Sequence, residues 1–226
     1  VNRNYYNGGL DAVPLPHQQE PLAFGTRPDD DRWTAFVAGT RMAFISVQAD
    51  EAEYYTKIES KQEQTKLAQG LPNVGDSSKS NKREAETVAR LIHTLCQLYS
   101  RSGIPFSPCK QIGIIVPFRA QIAMIRKALA ERHIPDTADI TIDTVERYQG
   151  SQRDIIIFST TVSRPYQLSI LSEPIMTDGR EIDRKLNVAL TRARKQFFMT
   201  GNETLLRNCT AYREFLDFLS KEQILR

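Results

Sequence analysis

Apolar residues recur along this chain at two different periods. Val88, Leu91, Ile92, Leu95 and Tyr99 stand three or four apart, which predicts an amphipathic helix over 82–100. Asn81 and Glu84 precede it at the spacing of a capping box, with Asn where Ser or Thr is usual. Ile122, Ile125 and Leu129 predict a second helix over 119–132. Continuous apolar runs predict buried strands instead, at 40–47 (TRMAFISV), 111–118 (QIGIIVPF), 140–145 (ITIDTV), 154–162 (DIIIFSTTV) and 196–201 (QFFMTG). Helices are expected over 181–194 and 210–220, and 163–179 reads as a loop.

Strands alternating with helices predict an α/β domain: a mostly parallel sheet with helices on both faces. The run from Ile155 to Val162 is too apolar for an edge strand, so it belongs inside the sheet. No internal repeat is visible. The domain is expected over 33–226, with a polar insertion at 48–80 ending in GDSSKSN. Residues 1–32 read as a loop-rich extension, and Asp29, Asp30 and Asp31 in it as a solvated acidic turn. The start, VNRNYYNGGL, reads as the interior of a longer protein.

Composition narrows the classes. Hydrophobic residues make up 40% and charged residues 25%, which is ordinary for a globular domain. A net charge of +3 is too small for a globally basic surface, so any nucleic-acid contact is expected to be local. Cys96, Cys109 and Cys209 form no CxxC and lie far in sequence from His17, His93 and His133. Neither a metal site nor a disulfide framework is expected, and a reducing cytoplasm fits best. His93 and Cys96 read as packing or surface residues of their helix. No apolar run is long enough to span a membrane.

MAFISVQADEAE resembles a Walker B strand with a catalytic magnesium at Asp50 and Glu51. That chemistry needs a GxxxxGK[ST] loop whose backbone amides hold the phosphates. The chain contains no Gly-Lys pair, and Gln48 and Ala49 separate the strand from the acids. These residues are therefore expected to form a strand followed by a charged turn. This chain cannot assemble a standard ATP site alone.

Over 181–194, which contains RKLNVALTRAR, Ile182, Leu186, Ala189, Leu190 and Ala193 fall within about 100° of helical arc. Arg184, Lys185, Asn187, Thr191, Arg192 and Arg194 take the remainder, with Lys185 and Arg192 nearly in line. A rigid rail of cations is therefore expected. Two more polar clusters accompany it: Gln149-Gly150 in TIDTVERYQGSQRDIII, and Arg119 and Gln121 in IGIIVPFRAQI. The clusters are expected to meet at the carboxyl edge of the sheet, where open α/β sheets bind ligands.

These segments resemble a known family, the superfamily 1 nucleic-acid helicases of the 5′-to-3′ group. IGIIVPFRAQ resembles helicase motif IV, TIDTVERYQGSQRD motif V, and RKLNVALTRAR motif VI, over residues 111–201 in family order. YYNGGL (5–10) is similar to the segment that follows the first-domain motifs. The resemblance implies a second RecA-like domain of the P-loop NTPase type, lacking its own phosphate-binding loop. It implies ATP with Mg2+, bound mostly by a preceding first RecA-like domain, and single-stranded DNA or RNA as partner. Arg192 resembles the motif VI arginine finger, whose planar, always-charged fork suits a transferring phosphoryl group. Gly150 resembles the glycine near the phosphates, and Gln152 replaces the usual ribose-binding Glu without its charge. Arg119 resembles a motif IV phosphate ligand, and Thr144 and Gln149 belong to the strand-contacting part of motif V. The alternatives are a non-catalytic nucleic-acid- or protein-binding module and a nuclease. A nuclease would need a carboxylate cluster, and Asp143 and Glu146 have no fitting partner in the sequence.

Overall fold

Ile155, Ile156, Ile157 and Phe158 are all fully buried, although neighbouring strand residues point to opposite sides. Both faces of their sheet must therefore be covered. The computed structural model describes residues 22, 24–47, 79–148, 151–177 and 180–226. Gln149, Gly150, Asp50, Glu51 and most of the polar insertion and N-terminal extension lie outside the described residues.

In chain order the main elements are α1 (Arg32–Gly39), β1 (Met42–Ser46), α2 (Lys82–Arg101), β2 (Ile112–Val116), α3 (Arg119–Glu131), β3 (Thr141–Thr144) and β4 (Arg153–Ser159). There follow β5 (Pro174–Thr177), β6 (Arg180–Asp183), α4 (Arg184–Thr191), β7 (Ala193–Gly201), α5 (Thr210–Phe218) and β8 (Ile224–Leu225). Six strands form one sheet in the order β3-β2-β4-β7-β1-β8, and every pairing is parallel. β4 lies inside it, as its apolar run requires. β5 and β6 form a separate antiparallel pair.

On one face, α1, α2 and α3 bury Val88, Leu91, Leu95, Ile125 and Leu129 against Ala43, Ile45, Ile114, Ile155 and Ile157. On the other face, Leu186, Ala189, Tyr212 and Phe215 from α4 and α5 cover Phe44, Ile115, Ile156, Phe158 and Met199. The alternation of side chains along each strand splits the core into these two layers. Among the described residues, no helix is long and apolar enough to cross a membrane.

Local departures from the sequence reading have identifiable causes. The chain after the acidic turn forms α1, because Asp31 accepts a hydrogen bond from Thr34 N at 2.6 Å and caps it. Asp30 is not merely solvated: it forms an ion pair with Arg101, whose guanidinium holds its carboxyl down at about 2. Within 163–179 the chain forms a 3-10 turn (Pro165–Gln167), a one-turn helix (Leu168–Leu171) and β5, rather than a plain loop. The capping box of α2 forms only in half. Asn81 Oδ1 accepts from Glu84 N at 3.0 Å, but the Glu84 carboxylate turns into the core.

Candidate nucleotide and nucleic-acid site

α4 is shorter than the 181–194 expected from its apolar stripe. Asp183 is fully buried and accepts from Leu186 N at 2.6 Å, Ser172 Oγ at 2.6 Å and Glu173 N at 2.7 Å. That carboxylate starts the helix at Arg184 and leaves Ile182 in β6, still buried. At the other end Arg153 N donates to Arg192 O at 3.0 Å and Arg153 pairs with Ala193. The sheet thus claims the chain from Ala193 onward, and Arg194 is a strand residue.

The expected rail of cations does not form. Arg184 pairs with Glu173 at 3.7 Å, Lys185 with Glu146 at 3.4 Å, and Lys195 with Asp154 at 3.2 Å. Arg194 Nε donates to Gln152 Oε1 at 3.4 Å. Arg192 differs from these neighbours. It is half-buried, its Nε donates to Val188 O at 3.3 Å, and its Nη2 donates to Thr191 Oγ1 at 3.4 Å. Among the described residues no carboxylate pairs with it. A guanidinium held along its stem and left without a counter-charge is suited to an incoming anion.

The site residues also divide between two edges of the sheet, where the sequence reading gathers them at one. Thr144 ends β3 and exposed Arg119 opens α3 just after β2, both at the carboxyl edge. Gln152 and Arg192 stand immediately before β4 and β7, at the amino edge. The edges are roughly 20 Å apart, given a rise of about 3.3 Å per residue along a seven-residue strand. The reason lies in the connection from β3 to β4, where residues 145–148 form turns and no helix is present among the described residues. Val145 and Tyr148 are buried in the layer shared with α4, so the chain crosses that face directly. Gly113 makes room for it: a Cβ there would overlap the Tyr148 hydroxyl. Lys185 and Glu146 then tie the crossing segment to α4. Asp143 serves structure too, accepting from Thr144 N at 2.8 Å. Among the described residues, no group of three or more His, Cys, Asp or Glu is placed to hold a metal ion.

A cluster that the sequence reading missed occupies the carboxyl edge. The Glu84 carboxylate accepts from Ser159 Oγ at 2.9 Å, Thr200 Oγ1 at 2.8 Å and Thr161 N at 3.0 and 3.1 Å. Buried Gln121 donates to Ser159 Oγ at 3.3 Å and exchanges hydrogen bonds with the Asn81 backbone. Burial pushes the Glu84 carboxyl up to about 7, against the hydrogen bonds that favour its charged form. Thr161 sits at φ 61, a left-handed conformation that is costly for a β-branched residue. The available signal was the polar run Ser159-Thr160-Thr161 ending an apolar strand. The capping-box spacing accounted for Glu84 locally and hid its long-range role.

A parallel six-stranded sheet in this order, with helices on both faces and motifs V and VI on the crossing segment and α4, defines a RecA-like helicase domain. The chain belongs to the family described as "AAA domain", whose model matches residues 1–204. It is 31% identical over 159 residues to the putative helicase MOV-10 of Gallus gallus, covering 65% of this chain and 16% of that protein. It is 34% identical over 103 residues to the DNA polymerase alpha-associated DNA helicase A of Saccharomyces cerevisiae, covering 45% and 14%. It is 32% identical over 139 residues to the DNA replication ATP-dependent helicase/nuclease DNA2 of Mus musculus, covering 62% and 12%. The match therefore spans less than a fifth of these relatives' lengths.

Proposed function

We propose that this chain is the second motor domain of an ATP-dependent nucleic-acid helicase and supplies its arginine finger and part of its single-strand grip. The observation that carries the proposal is the Arg192 guanidinium, half-buried and without a carboxylate partner among the described residues while Arg184, Lys185 and Lys195 each have one. An anion-shaped need at that position fits a nucleotide phosphate.

When bound with Mg2+, mostly by the preceding first RecA-like domain, ATP supplies the phosphoryl group whose hydrolysis drives the motor. Arg192 would stabilise the charge that develops on that group, an effect worth ~10³–10⁵ in rate for arginine fingers. Gln152 would hydrogen-bond the ribose and Gly150 would allow close backbone approach to the phosphates, while Arg119, at the opposite edge of the sheet, would meet phosphates of the strand. Thr144 and Gln149 would contact the backbone of single-stranded DNA or RNA, positioning it without reading sequence. Domain closure would bring Arg192 to the γ-phosphate and shift the two domains' grips on the strand, a ratchet of cleft closing and opening. The working compartment on this reading is the cytoplasm.

The test is Arg192→Ala in the native full-length protein. ATP hydrolysis should fall by at least three orders of magnitude, with single-strand affinity within about twofold of wild type. Unchanged hydrolysis would exclude Arg192 as the finger.

A further inference from the structure

Among the described residues, the large apolar side chains most exposed include Tyr166, at 54%. An exposed tyrosine on a slack loop would mean little, but this one stands on a turn held from behind through five backbone N–H groups. Thr160 N donates to Thr200 O at 3.1 Å, and Thr161 N donates to the Glu84 carboxylate. Ser163 N and Arg164 N both donate to Oε1 of buried Gln167, each at 2.8 Å, and Gln167 N donates back to Arg164 O at 3.1 Å. Val162 between them is fully buried. Two buried polar side chains, Glu84 and Gln167, and one left-handed threonine are thus committed to this turn. Backbone strain of this kind persists only where surrounding structure over-determines it, and it concentrates at ligand clamps.

The turn follows β4, so it lies at the same carboxyl edge as Arg119 and Thr144. Arg119 and Arg164 have no carboxylate partner among the described residues. Glu203, the acid that opens the turn after β7, is neutralised by Arg207 at 3.1 Å and Arg226 at 2.7 Å. A held aromatic ring on the same edge as cations that lack a carboxylate partner among the described residues matches the chemistry of a single strand, with bases that stack and phosphates that attract.

We propose that Tyr166 is a stacking surface for a base of single-stranded nucleic acid, presented by the turn that Glu84 and Gln167 hold rigid. This inference rests on the strand-binding reading above and adds to it a residue outside the helicase motifs. Tyrosine suits the role because its large flat ring loses little rotamer freedom on contact.

The test uses the native full-length protein and a fluorescein-labelled thymidine oligonucleotide, followed by fluorescence anisotropy. Tyr166→Ala should weaken binding roughly 5- to 100-fold, the range for loss of one stacked base. Tyr166→Phe should stay within about twofold of wild type, because it keeps the ring. Phe218→Ala, which removes an exposed ring from the end of α5, should leave affinity unchanged. Tyr166→Trp should bind and show indole quenching on binding beyond that of the wild-type protein. Wild-type binding with no loss in Tyr166→Ala would overturn the stacking assignment and leave the strand-binding reading intact. Equal loss in Tyr166→Phe would assign the contact to the hydroxyl and also overturn it. A wild-type protein that fails to bind the oligonucleotide would sink both readings together.

Discussion

Both carboxylate oxygens of Glu84 accept the backbone N–H of Thr161, 77 residues further along the chain, at 3.1 and 3.0 Å. This relationship joins the first turn of α2 to the turn after β4, and Thr200 Oγ1 adds the end of β7 to the same carboxylate. Three elements distant in sequence are therefore registered at one edge of the sheet by a single side chain. Burying a carboxyl is costly unless its lone pairs are satisfied, and here they are.

The burial of Glu84 has a consequence for stability. Its carboxyl is raised to about 7 in the folded protein against an ordinary value of 4.5. Between those values the folded state holds a proton that the unfolded state has released, so folding is favoured less as pH rises. The contribution is full below about pH 4.5 and is lost as pH climbs through 7. It amounts to about 3 kcal/mol, taking 1.36 kcal/mol per pH unit. Chemical denaturation from pH 5 to 8 should show this decline in the wild type and a flatter profile in Glu84→Gln. Parallel profiles in the two proteins would contradict the assignment.

Gly113→Ala tests the crossing of residues 145–148 over the sheet. The new methyl group would meet the Tyr148 ring and Ile156 Cδ1. Overpacking a core of this kind costs about 1–3 kcal/mol. Thermal melting should show that loss, and adding Tyr148→Phe should recover part of it by removing the overlapping hydroxyl. Independent, additive effects of the two substitutions would show that they do not share this contact.

Asp183→Ala should destabilise the protein by about 2–4 kcal/mol, since it removes a helix cap and strands Ser172 Oγ and Glu173 N in a buried place. The damage should concentrate at the start of α4. Hydrogen exchange at Leu186 N should accelerate well before exchange in β4, and uniform acceleration would argue for a global effect instead.

Gln152→Glu addresses the departure from the helicase pattern. Gln152 Oε1 accepts from Arg194 Nε at 3.4 Å, a bond that a carboxylate would strengthen. If Gln152 meets the ribose, Gln152→Glu in the native protein should lower KM for ATP several-fold with little change in kcat, the mark of a uniform binding gain. A steady-state ATPase assay reads both constants, and an unchanged KM would remove Gln152 from the nucleotide site.

Much of this architecture was legible in the apolar pattern. Val88, Leu91 and Leu95 announced α2, and the run from Ile155 to Phe158 announced an interior strand, because burial on one stripe or on two faces leaves a local trace. The same local trace misled at 181–194. A helical stripe continued through Ile182 and Ala193, yet Asp183 and the Arg153–Arg192 backbone bond cut the helix to Arg184–Thr191. Periodicity registers which residues are buried, and a buried strand end satisfies the same pattern.

The sequence by itself determined the five main parallel strands and the helices between them, the family, and the identity of Arg192, Gly150 and Thr144 as the residues to examine. Only the tertiary structure decided which cations are neutralised, which edge each residue occupies, and what Glu84 does. Charge pairing depends on partners such as Glu146 and Glu173 that no spacing rule connects to Lys185 and Arg184. Edge position depends on how the chain crosses the sheet, and Tyr148 packed over Gly113 settled that. The role of Glu84 depends on desolvation, which arises only when α2, β4 and β7 close around it.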